Sequence, residues 1–173
     1  TVTDATTCTV TDSVQVPSSA LVDLTLDSVS SILSVPCYGD QSSGIIVNAT
    51  GGIPNTYLYY IPNFFPIPQT SNTFSGLYAG TYTVFVEDFN GCSDSVLVAI
   101  SQPDQINVTL SKKDISCDGI TDGSAWIDTV YGGVGAFSYS WNPNGEITDS
   151  ISGLSVGNYS VQVTDTNQCS VIS

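Results

Sequence analysis

Apolar and polar residues alternate along most of the chain with a period of two. Alternation of this kind is typical of β-strands that bury one face and expose the other. Short Gly- or Asn-Gly-containing turns separate the alternating segments, and no segment has the periodicity of an amphipathic helix. The pattern therefore predicts an all-β protein with strands at 21–26, 44–49, 82–86, 95–100, 106–110, 125–130, 138–141 and 159–163.

The chain also contains a long internal repeat. Residues 76–92 read GLYAGTYTVFVEDFNGC, and residues 153–169 read GLSVGNYSVQVTDTNQC. A block with a Cys-x-Gly turn and a later Gly-Gly pair precedes each copy, beginning at Cys37 and at Cys117. The offset is 80 residues between Cys37 and Cys117, and 77 between Cys92 and Cys169. A unit of about eighty residues is typical of a small β-sandwich domain.

The repeat divides the chain into three parts. Residues 1–16 match the end of a unit, residues 17–101 form a complete unit, and residues 102–173 form a second unit that lacks most of its last strand. We therefore expect the chain to be a mature piece of a longer protein. Each linker contains a proline, Pro17 or Pro103, which stiffens it. The predicted fold is a tandem of immunoglobulin-like or fibronectin-III-like sandwiches of about seven strands each.

Each repeat has the pattern Leu-x-x-Gly-x-Tyr near its end. We expect Leu77 and Leu154 to enter the core, and Tyr82 and Tyr159 to begin strand F as tyrosine corners, with the hydroxyl bonded to nearby backbone. The aromatic residues expected to fill the centre of each sandwich from strand C are Tyr59, Tyr60 and Trp141.

The charge balance excludes several functions. The chain has 2 Lys and Arg, 16 Asp and Glu, no His and a net charge of −14. Nucleic-acid binding needs clustered basic residues, so no nucleic-acid partner is expected. Imidazole-based catalysis is impossible without His, and no carboxylate pair suits glycoside hydrolysis. We expect a protein that is not an enzyme and has no cofactor. No run of eighteen apolar residues predicts a membrane span.

The two blocks together resemble the SprB-type repeat of very large surface proteins in gliding Bacteroidota and their relatives. The match runs through Cys37–Gly39, Gly51-Gly52, 77–82 and 88–92, and again through 117–119, 132–133, Trp141, 154–159 and 165–169. In the first unit, residues 60–66 (YIPNFFP) depart from the Trp-centred strand end. The resemblance implies export by the type IX system, display on the bacterial cell surface, and a role in adhesion or gliding. Family membership identifies no ligand.

Five cysteines in an exported β protein indicate disulfides rather than a metal site. One pairing scheme closes each unit, with Cys37 bonded to Cys92 and Cys117 to Cys169. The other bridges units, because the A–B loop of one sandwich would face the F–G turn of the next, which permits Cys37 to bond Cys169. Both schemes stay open at this point. In either, Cys8 would pair with a residue outside these 173.

Two further kinds of site follow from the loops. Asp118 and Asp122 could supply two carboxylates to Ca²⁺, although Asp also serves as a turn residue that bonds its own backbone. Phe64 and Phe65 lie in a Pro-rich loop where both rings are hard to bury, so they could form an exposed ligand patch. The alternative is that the loop simply packs against the sandwich.

The tripeptide Asp-Ser/Thr-aliphatic occurs five times. If the resemblance is correct, this tripeptide is similar to the O-glycosylation acceptor of that bacterial group. The hydroxyls that would carry sugar are Ser13, Ser28, Ser95, Thr129 and Ser150.

The leading functional hypothesis is a non-enzymatic tandem repeat that forms a stiff stalk in a large surface adhesin or filament, with neighbouring repeats of the same chain as its partners. One alternative is a carbohydrate-binding module that uses the Phe64 and Phe65 patch on surface polysaccharide or glycan. Another is a filament subunit whose incomplete last sandwich accepts a strand from a neighbour.

Overall fold

The computed structural model describes residues 2–3, 5–7, 9–11, 20–28 and 30–173. These residues form fifteen strands and no helix, which confirms the all-β prediction. Among them, therefore, no helix is long and apolar enough to cross a membrane. In chain order the strands are β1 (Val2–Thr3), β2 (Thr9–Val10), β3 (Asp23–Leu26), β4 (Ser43–Thr50), β5 (Leu58–Ile61), β6 (Phe65–Gln69), β7 (Thr73–Leu77), β8 (Gly80–Glu87), β9 (Ser93–Ile100), β10 (Asn107–Lys113), β11 (Gly123–Tyr131), β12 (Ser138–Asn142), β13 (Ser150–Leu154), β14 (Ser160–Thr164) and β15 (Ser170–Ile172).

The first sandwich consists of β3 to β9. One sheet has the order β3-β4-β7 and the other the order β6-β5-β8-β9, with antiparallel pairing throughout. In the usual letters these sheets are A-B-E and C′-C-F-G, the Greek-key arrangement of immunoglobulin-like and fibronectin-III-like domains. This strand order confirms the predicted fold class.

One hydrophobic core fills the space between these two sheets. Alternate residues of each strand point inward, as the period-two pattern requires. The buried members are Val22, Leu24, Val35, Ile45, Val47, Tyr59, Ile61, Phe74, Leu77, Tyr82, Val84, Val86, Val98 and Ile100.

The second sandwich consists of β10 to β15 and has its own core. Its sheets have the orders β10-β11-β13 and β12-β14-β15. Trp141 is only 2% exposed at the centre, as predicted. The other buried members of this core are Ile106, Ile151, Leu154, Val161 and Val163.

The second sandwich has six strands, one fewer than the first. The first sandwich forms its C′ strand, β6, from the sequence FPIPQ. Its two prolines cannot donate hydrogen bonds, which suits an edge strand. In the second sandwich the chain turns at Asn144-Gly145 and enters β13 without forming a strand there. The difference arises where the two repeats diverge most in sequence.

The eight strands predicted from alternation are all present, and their ends agree with the structure to within three residues. Both predicted tyrosine corners form as well. The Tyr82 hydroxyl donates to the Tyr78 carbonyl at 2.9 Å, and the Tyr159 hydroxyl donates to the Ser155 carbonyl at 3.3 Å. Tyr82 is 3% exposed, whereas Tyr159 is only partly buried. Burial raises the pKa of the Tyr82 phenol, and its hydrogen bond opposes that rise.

Replacing Tyr82 with Phe should destabilise the protein more than replacing Tyr159 with Phe. Loss of the part-buried Tyr82 hydrogen bond should cost about 1 kcal/mol, the usual net contribution of a single hydrogen bond. At the longer, more exposed bond of Tyr159 water replaces the hydroxyl, so we expect less than about 0.5 kcal/mol. Urea unfolding followed by far-UV circular dichroism measures both losses. Equal losses would show that the two corners are equivalent.

Candidate functional site: the junction between the two sandwiches

The two Cys-x-Gly segments form the same turn. In the first sandwich the Asp40 N–H donates to the Cys37 carbonyl at 3.3 Å. In the second, the Ile120 N–H donates to the Cys117 carbonyl at 3.2 Å. The glycine of each turn has a positive φ, 79° at Gly39 and 81° at Gly119, which explains the residue type. Each turn therefore presents its cysteine in the same way at the A–B end of its sandwich.

A buried carboxylate builds the F–G turn of the second sandwich. Asp165 is 2% exposed. Its Oδ1 accepts the N–H groups of Asn167 at 2.8 Å and Cys169 at 2.9 Å. Its Oδ2 accepts the N–H of Val134, in the B–C loop, at 2.9 Å. A buried charge is tolerated when it is fully hydrogen-bonded, so this carboxylate fixes the cysteine and joins two loops.

Asp88 does the same in the first sandwich. Its Oδ1 accepts the N–H groups of Asn90 and Cys92, each at 2.9 Å, and its Oδ2 accepts the Ile53 N–H at 3.0 Å. Burial opposes ionisation of this carboxyl, but the hydrogen bonds from Cys92, Ile53 and Asn90 prevail and lower its pKa. The F–G turn is thus an identical device in both repeats.

The Gly-Gly pair makes room for that carboxylate. A Cβ on Gly52, where φ is 51°, would lie 2.6 Å from Asp88 Oδ2. A Cβ on Gly133, where φ is 62°, would lie 3.0 Å from Asp165 Oδ2. A side chain at either position would crowd the carboxylate, and the positive φ also favours glycine. The Gly-Gly and Asp-x-Asn-x-Cys motifs are therefore two halves of one structural unit.

A disulfide joins the A–B turn of the first sandwich to the F–G turn of the second. Cys37 and Cys169 are bonded, with their Cα atoms 5.5 Å apart. The Asn167 side-chain Nδ2 donates to the Pro36 carbonyl at 3.0 Å. In the linker, the Gln102 side-chain Oε1 accepts the Gly39 N–H at 3.0 Å. We call these contacts the junction.

The junction decides between the two pairing schemes. The interunit pair, Cys37 with Cys169, is confirmed. The scheme that paired Cys37 with Cys92 and Cys117 with Cys169 is wrong, because the A–B turn and the F–G turn of one sandwich lie at opposite ends. Among the described cysteines, Cys92 and Cys117 are free, with Cys117 exposed. Cys8 lies outside the described residues.

The predicted calcium residues lie in the A–B loop of the second sandwich. Asp122 Oδ1 accepts the Ser116 N–H at 2.8 Å, and Asp122 Oδ2 lies 3.7 Å from the Lys113 ammonium. This is the alternative role of a turn-forming aspartate, and the Ser116 hydrogen bond is the main cause of its lowered pKa. No cluster of three His, Cys, Asp or Glu occurs in the described part of the chain, and Asp118 is exposed. Calcium binding stays a prediction.

The two phenylalanines of the predicted ligand patch have different surroundings. Phe65 begins β6 and packs against Phe74 of the core, with ring centroids 5.3 Å apart. Phe64 is 54% exposed and lies edge-on to the Tyr82 ring at 4.8 Å. The structure thus separates them into one core ring and one surface ring, and carbohydrate binding there stays a prediction.

Four of the five predicted glycosylation hydroxyls lie in the described residues, and Ser13 lies outside them. All four residues are exposed: Ser28, Ser95, Thr129 and Ser150. The Thr129 hydroxyl contacts that of Thr109 at 2.6 Å, and the Ser150 hydroxyl donates to Asp149 at 3.1 Å. Exposure permits modification, and glycosylation stays a prediction.

A cavity of about 670 Å³ opens at the A–B end of the second sandwich. Its apolar walls include Leu110, Ile115, Trp141, Leu154 and Tyr159. In the first sandwich the same end is closed, because Val35 donates to the Ser101 carbonyl at 3.0 Å and Ile100 is 5% exposed. β15 is three residues long, whereas its counterpart β9 has eight.

Sequence reasoning did not find two groups of the junction, the Asn167 amide and the Gln102 amide, or the Asp165 carboxylate that fixes the F–G turn beside them. The signal for two of them was present. Asp-x-Asn-x-Cys occurs at residues 88–92 and again at residues 165–169. Gln102 had no such signal, because it lies in a linker that occurs once.

Comparisons with known proteins add little. No protein-family model matches the chain, and no curated protein matches it. A structure titled for Dscam isoform specificity is 13% identical over 90% of this chain, with a TM-score of 0.36. The N-terminal four immunoglobulin domains of Dscam1 isoform 6.9 are 12% identical over 92%, with a TM-score of 0.36. The chain spans 45% and 46% of those two structures.

A third similar structure holds fibronectin(III)-like modules of Clostridium thermocellum CbhA. It is 15% identical over 87% of this chain and 90% of that one, with a TM-score of 0.33. The assignment of the fold rests on the strand order described above, since TM-scores this low carry no weight.

Replacing Asp88 with Asn should flatten the dependence of stability on pH. Because the folded protein lowers the pKa of Asp88 from 3.8, its ionised form adds stability that is present above about pH 4. That stability is lost as the pH falls through the folded value. The wild type should therefore have the higher urea midpoint at pH 6, and its advantage over Asp88→Asn should shrink towards pH 2.5.

The matched control is Glu87→Gln, which removes the same charge at the exposed neighbouring position. Its urea midpoint should stay close to that of the wild type across the same range. A gap between wild type and Asp88→Asn that does not change with pH would contradict the role assigned to the carboxylate.

Proposed function

We propose that this chain is part of a tandem array of SprB-type repeats in a large secreted protein of the bacterial surface, where it acts as a non-enzymatic stalk in adhesion or gliding. The disulfide across the junction carries the proposal. It bonds two successive units end to end, at loops that each unit builds by the same means. A module that acted alone would gain nothing from such a bond.

Three contacts restrict bending at the junction. The disulfide and the Asn167 hydrogen bond hold the F–G turn against the A–B turn, while Gln102 holds the linker to the same A–B turn. Pro103 follows in the linker and limits its rotation. Contacts on both sides of a short linker favour a stiff connection over a flexible tether.

The same bond limits how far the chain can be pulled. Cys37 and Cys169 are 132 residues apart. Tension between the chain ends passes directly through the bond, so most of both sandwiches lies outside the loaded path. A stalk that transmits force to a surface needs this property, whereas a ligand-binding module does not.

An extracellular location suits this chemistry. Disulfides persist in oxidising surroundings, and small exported β domains commonly depend on them. The net charge of −14 would keep a long array soluble and self-repelling. Type IX export and O-glycosylation at the exposed hydroxyls are parts of the same proposal that rest on the resemblance to SprB-type repeats.

Single-molecule pulling on the whole chain tests the mechanical part. When oxidised, the chain should extend only through the residues outside the Cys37–Cys169 loop. Reduction should release 132 more residues, which is roughly 450 Å of contour length. Cys37→Ser should give the long extension without reductant, and Cys92→Ser should leave the short extension unchanged. Equal contour lengths before and after reduction would contradict the proposal.

As a second candidate function, we propose that the second sandwich accepts a strand at its cavity. The Val161 and Ser173 backbones exchange two hydrogen bonds of 3.0 Å, as Val84 and Val96 pair in the first sandwich. Val98 and Ile100 follow Val96 and close the first core. A strand with the same alternation of apolar residues would fill the cavity beside Trp141 and Tyr159.

A synthetic peptide with the sequence of residues 97–101, whose counterparts would follow Ser173, tests that candidate. It should bind the whole chain and change the Trp141 fluorescence, because it would cover a wall of the cavity. A peptide with Ser in place of Val98 and Ile100 should not bind, because it offers no apolar side chains. Equal binding of the two peptides, or of neither, would exclude strand acceptance.

A further inference from the structure

The two free cysteines lie at opposite ends of the pair of sandwiches. Cys92 is in the F–G turn of the first, and Cys117 is in the A–B turn of the second. Each is therefore the repeat counterpart of one partner in the Cys37–Cys169 bond. The Cys37–Cys169 bond shows that an A–B cysteine and an F–G cysteine form a disulfide when two units lie end to end.

The F–G turns agree bond for bond. Asp88 N–H donates to the Cys92 carbonyl at 2.9 Å, and Asp165 N–H donates to the Cys169 carbonyl at 2.9 Å. In both turns the aspartate Oδ1 accepts the N–H of the cysteine at 2.9 Å. Both cysteines are partly buried against the core of their own sandwich. Cys92 is thus held as the bonded Cys169 is held.

The A–B turns agree as well. The carbonyls of Cys37 and Cys117 accept the N–H three residues later, at 3.3 and 3.2 Å, around a glycine of positive φ. Cys37 is partly covered, and Cys117 is exposed. Cys37 would be exposed in the same way if the F–G turn of the second sandwich did not lie against it. Asn90 also occupies the place of Asn167, so its amide can reach the carbonyl before a neighbouring A–B cysteine.

We propose that Cys117 and Cys92 are the open ends of a disulfide ladder between successive units. Cys117 bonds the F–G cysteine of the like unit that follows, and Cys92 bonds the A–B cysteine of the like unit that precedes. Both bonds repeat the geometry of Cys37 with Cys169. The inference rests on the proposed tandem array and adds that every junction in it is covalently closed.

The ladder is interlocked. The loop closed by Cys37 and Cys169 contains both Cys92 and Cys117. Each bond of the ladder therefore closes a loop that contains one cysteine of the bond before it and one cysteine of the bond after it. From Cys92 to Cys117 the chain has only 25 residues. With every junction bonded, tension would pass along the chain from Cys92 to Cys117 and then through a disulfide to the next unit. The loaded path would therefore contain about 25 residues for every two units. Unfolding any single sandwich would then add little length to the array.

The bond-forming step is thiol–disulfide exchange, with a disulfide as oxidant. In the test the oxidant is oxidised glutathione. The Cys117 thiolate attacks one glutathione sulfur, forms a mixed disulfide and releases one glutathione thiolate. The Cys92 thiolate of a second chain then attacks the Cys117 sulfur and releases the second glutathione. Two cysteine thiols are oxidised, one glutathione disulfide is reduced to two thiols, and the thiolates exchange their protons with water.

The experiment equilibrates the whole chain, at high concentration, in a buffer of reduced and oxidised glutathione. Cys8→Ser is present throughout, so that only Cys92 and Cys117 remain free. Peptide mapping without reduction then counts the three kinds of intermolecular bond, which are Cys92–Cys92, Cys117–Cys117 and the mixed Cys92–Cys117. Random pairing would give mixed Cys92–Cys117 bonds as half of the total. The ratio of mixed bonds to bonds between identical cysteines is therefore one for random pairing. The ladder predicts a head-to-tail series of oligomers in which this ratio is at least about five, the gain that one good hydrogen bond provides.

Two variants show whether the turns recognise each other. Asn90→Ala should return the ratio of mixed to like bonds towards the random value, because it removes the amide that would reach the Ser116 carbonyl of the neighbour. Asn48→Ala, at an exposed position of β4, should leave the ratio unchanged. The rate at which glutathione alone labels Cys92 should be the same in both variants, which shows that the thiol itself is unaltered.

A mixed-bond fraction at or below one half would overturn the ladder, and so would the absence of intermolecular bonds. Either result leaves the pulling experiment unaffected, because that experiment reads the Cys37–Cys169 bond inside one chain. Conversely, the pulling experiment could fail while the peptide mapping shows a strong preference for mixed bonds. That result would contradict the proposed stalk but support recognition between the turns. The two proposals can therefore fail separately.

Discussion

The buried aspartate of the F–G turn is the interaction on which the rest of this structure depends. Asp88 and Asp165 each gather three backbone N–H groups from two loops that are far apart in sequence. A carboxylate that is removed from water must be bonded in this way, or its burial would cost several kcal/mol. Because the carboxylate takes the N–H of the cysteine itself, it also sets where the thiol lies. Core packing, loop conformation and the position of the disulfide are joined at one group.

That constraint explains why the motifs of the repeat occur together. The Gly-Gly pair leaves space for the carboxylate, and the N–H that follows the second glycine donates to it. The asparagine in the F–G turn first bonds its own turn through its N–H and then, at Asn167, reaches the neighbouring unit with its side chain. Residues that look like separate loop features in the sequence therefore form one support for a contact between units.

The junction also shows how two sandwiches are joined through their ends. The sandwiches supply rigid ends, and each end carries one cysteine on a short, fully bonded turn. A covalent bond between such ends changes the path of force without any change in the cores. The second sandwich differs from the first in having six strands instead of seven, because it forms no C′ strand.

Much of the fold follows from the sequence alone. Alternation of apolar residues predicted eight of the fifteen strands, because a period of two has only one way to bury a face. The repeated Leu-x-x-Gly-x-Tyr pattern located both tyrosine corners, and Trp141 was placed in the core by its position on strand C. The sequence left the cysteine pairing open, since spacing along a chain does not say which loops meet. It also gave no role to Gln102 or to the Asp165 carboxylate in the F–G turn, and did not separate the partly buried Phe65 from the exposed Phe64. Those outcomes depend on which ends of two sandwiches face each other and on which side of an edge strand a ring lies, and only the tertiary structure decides them.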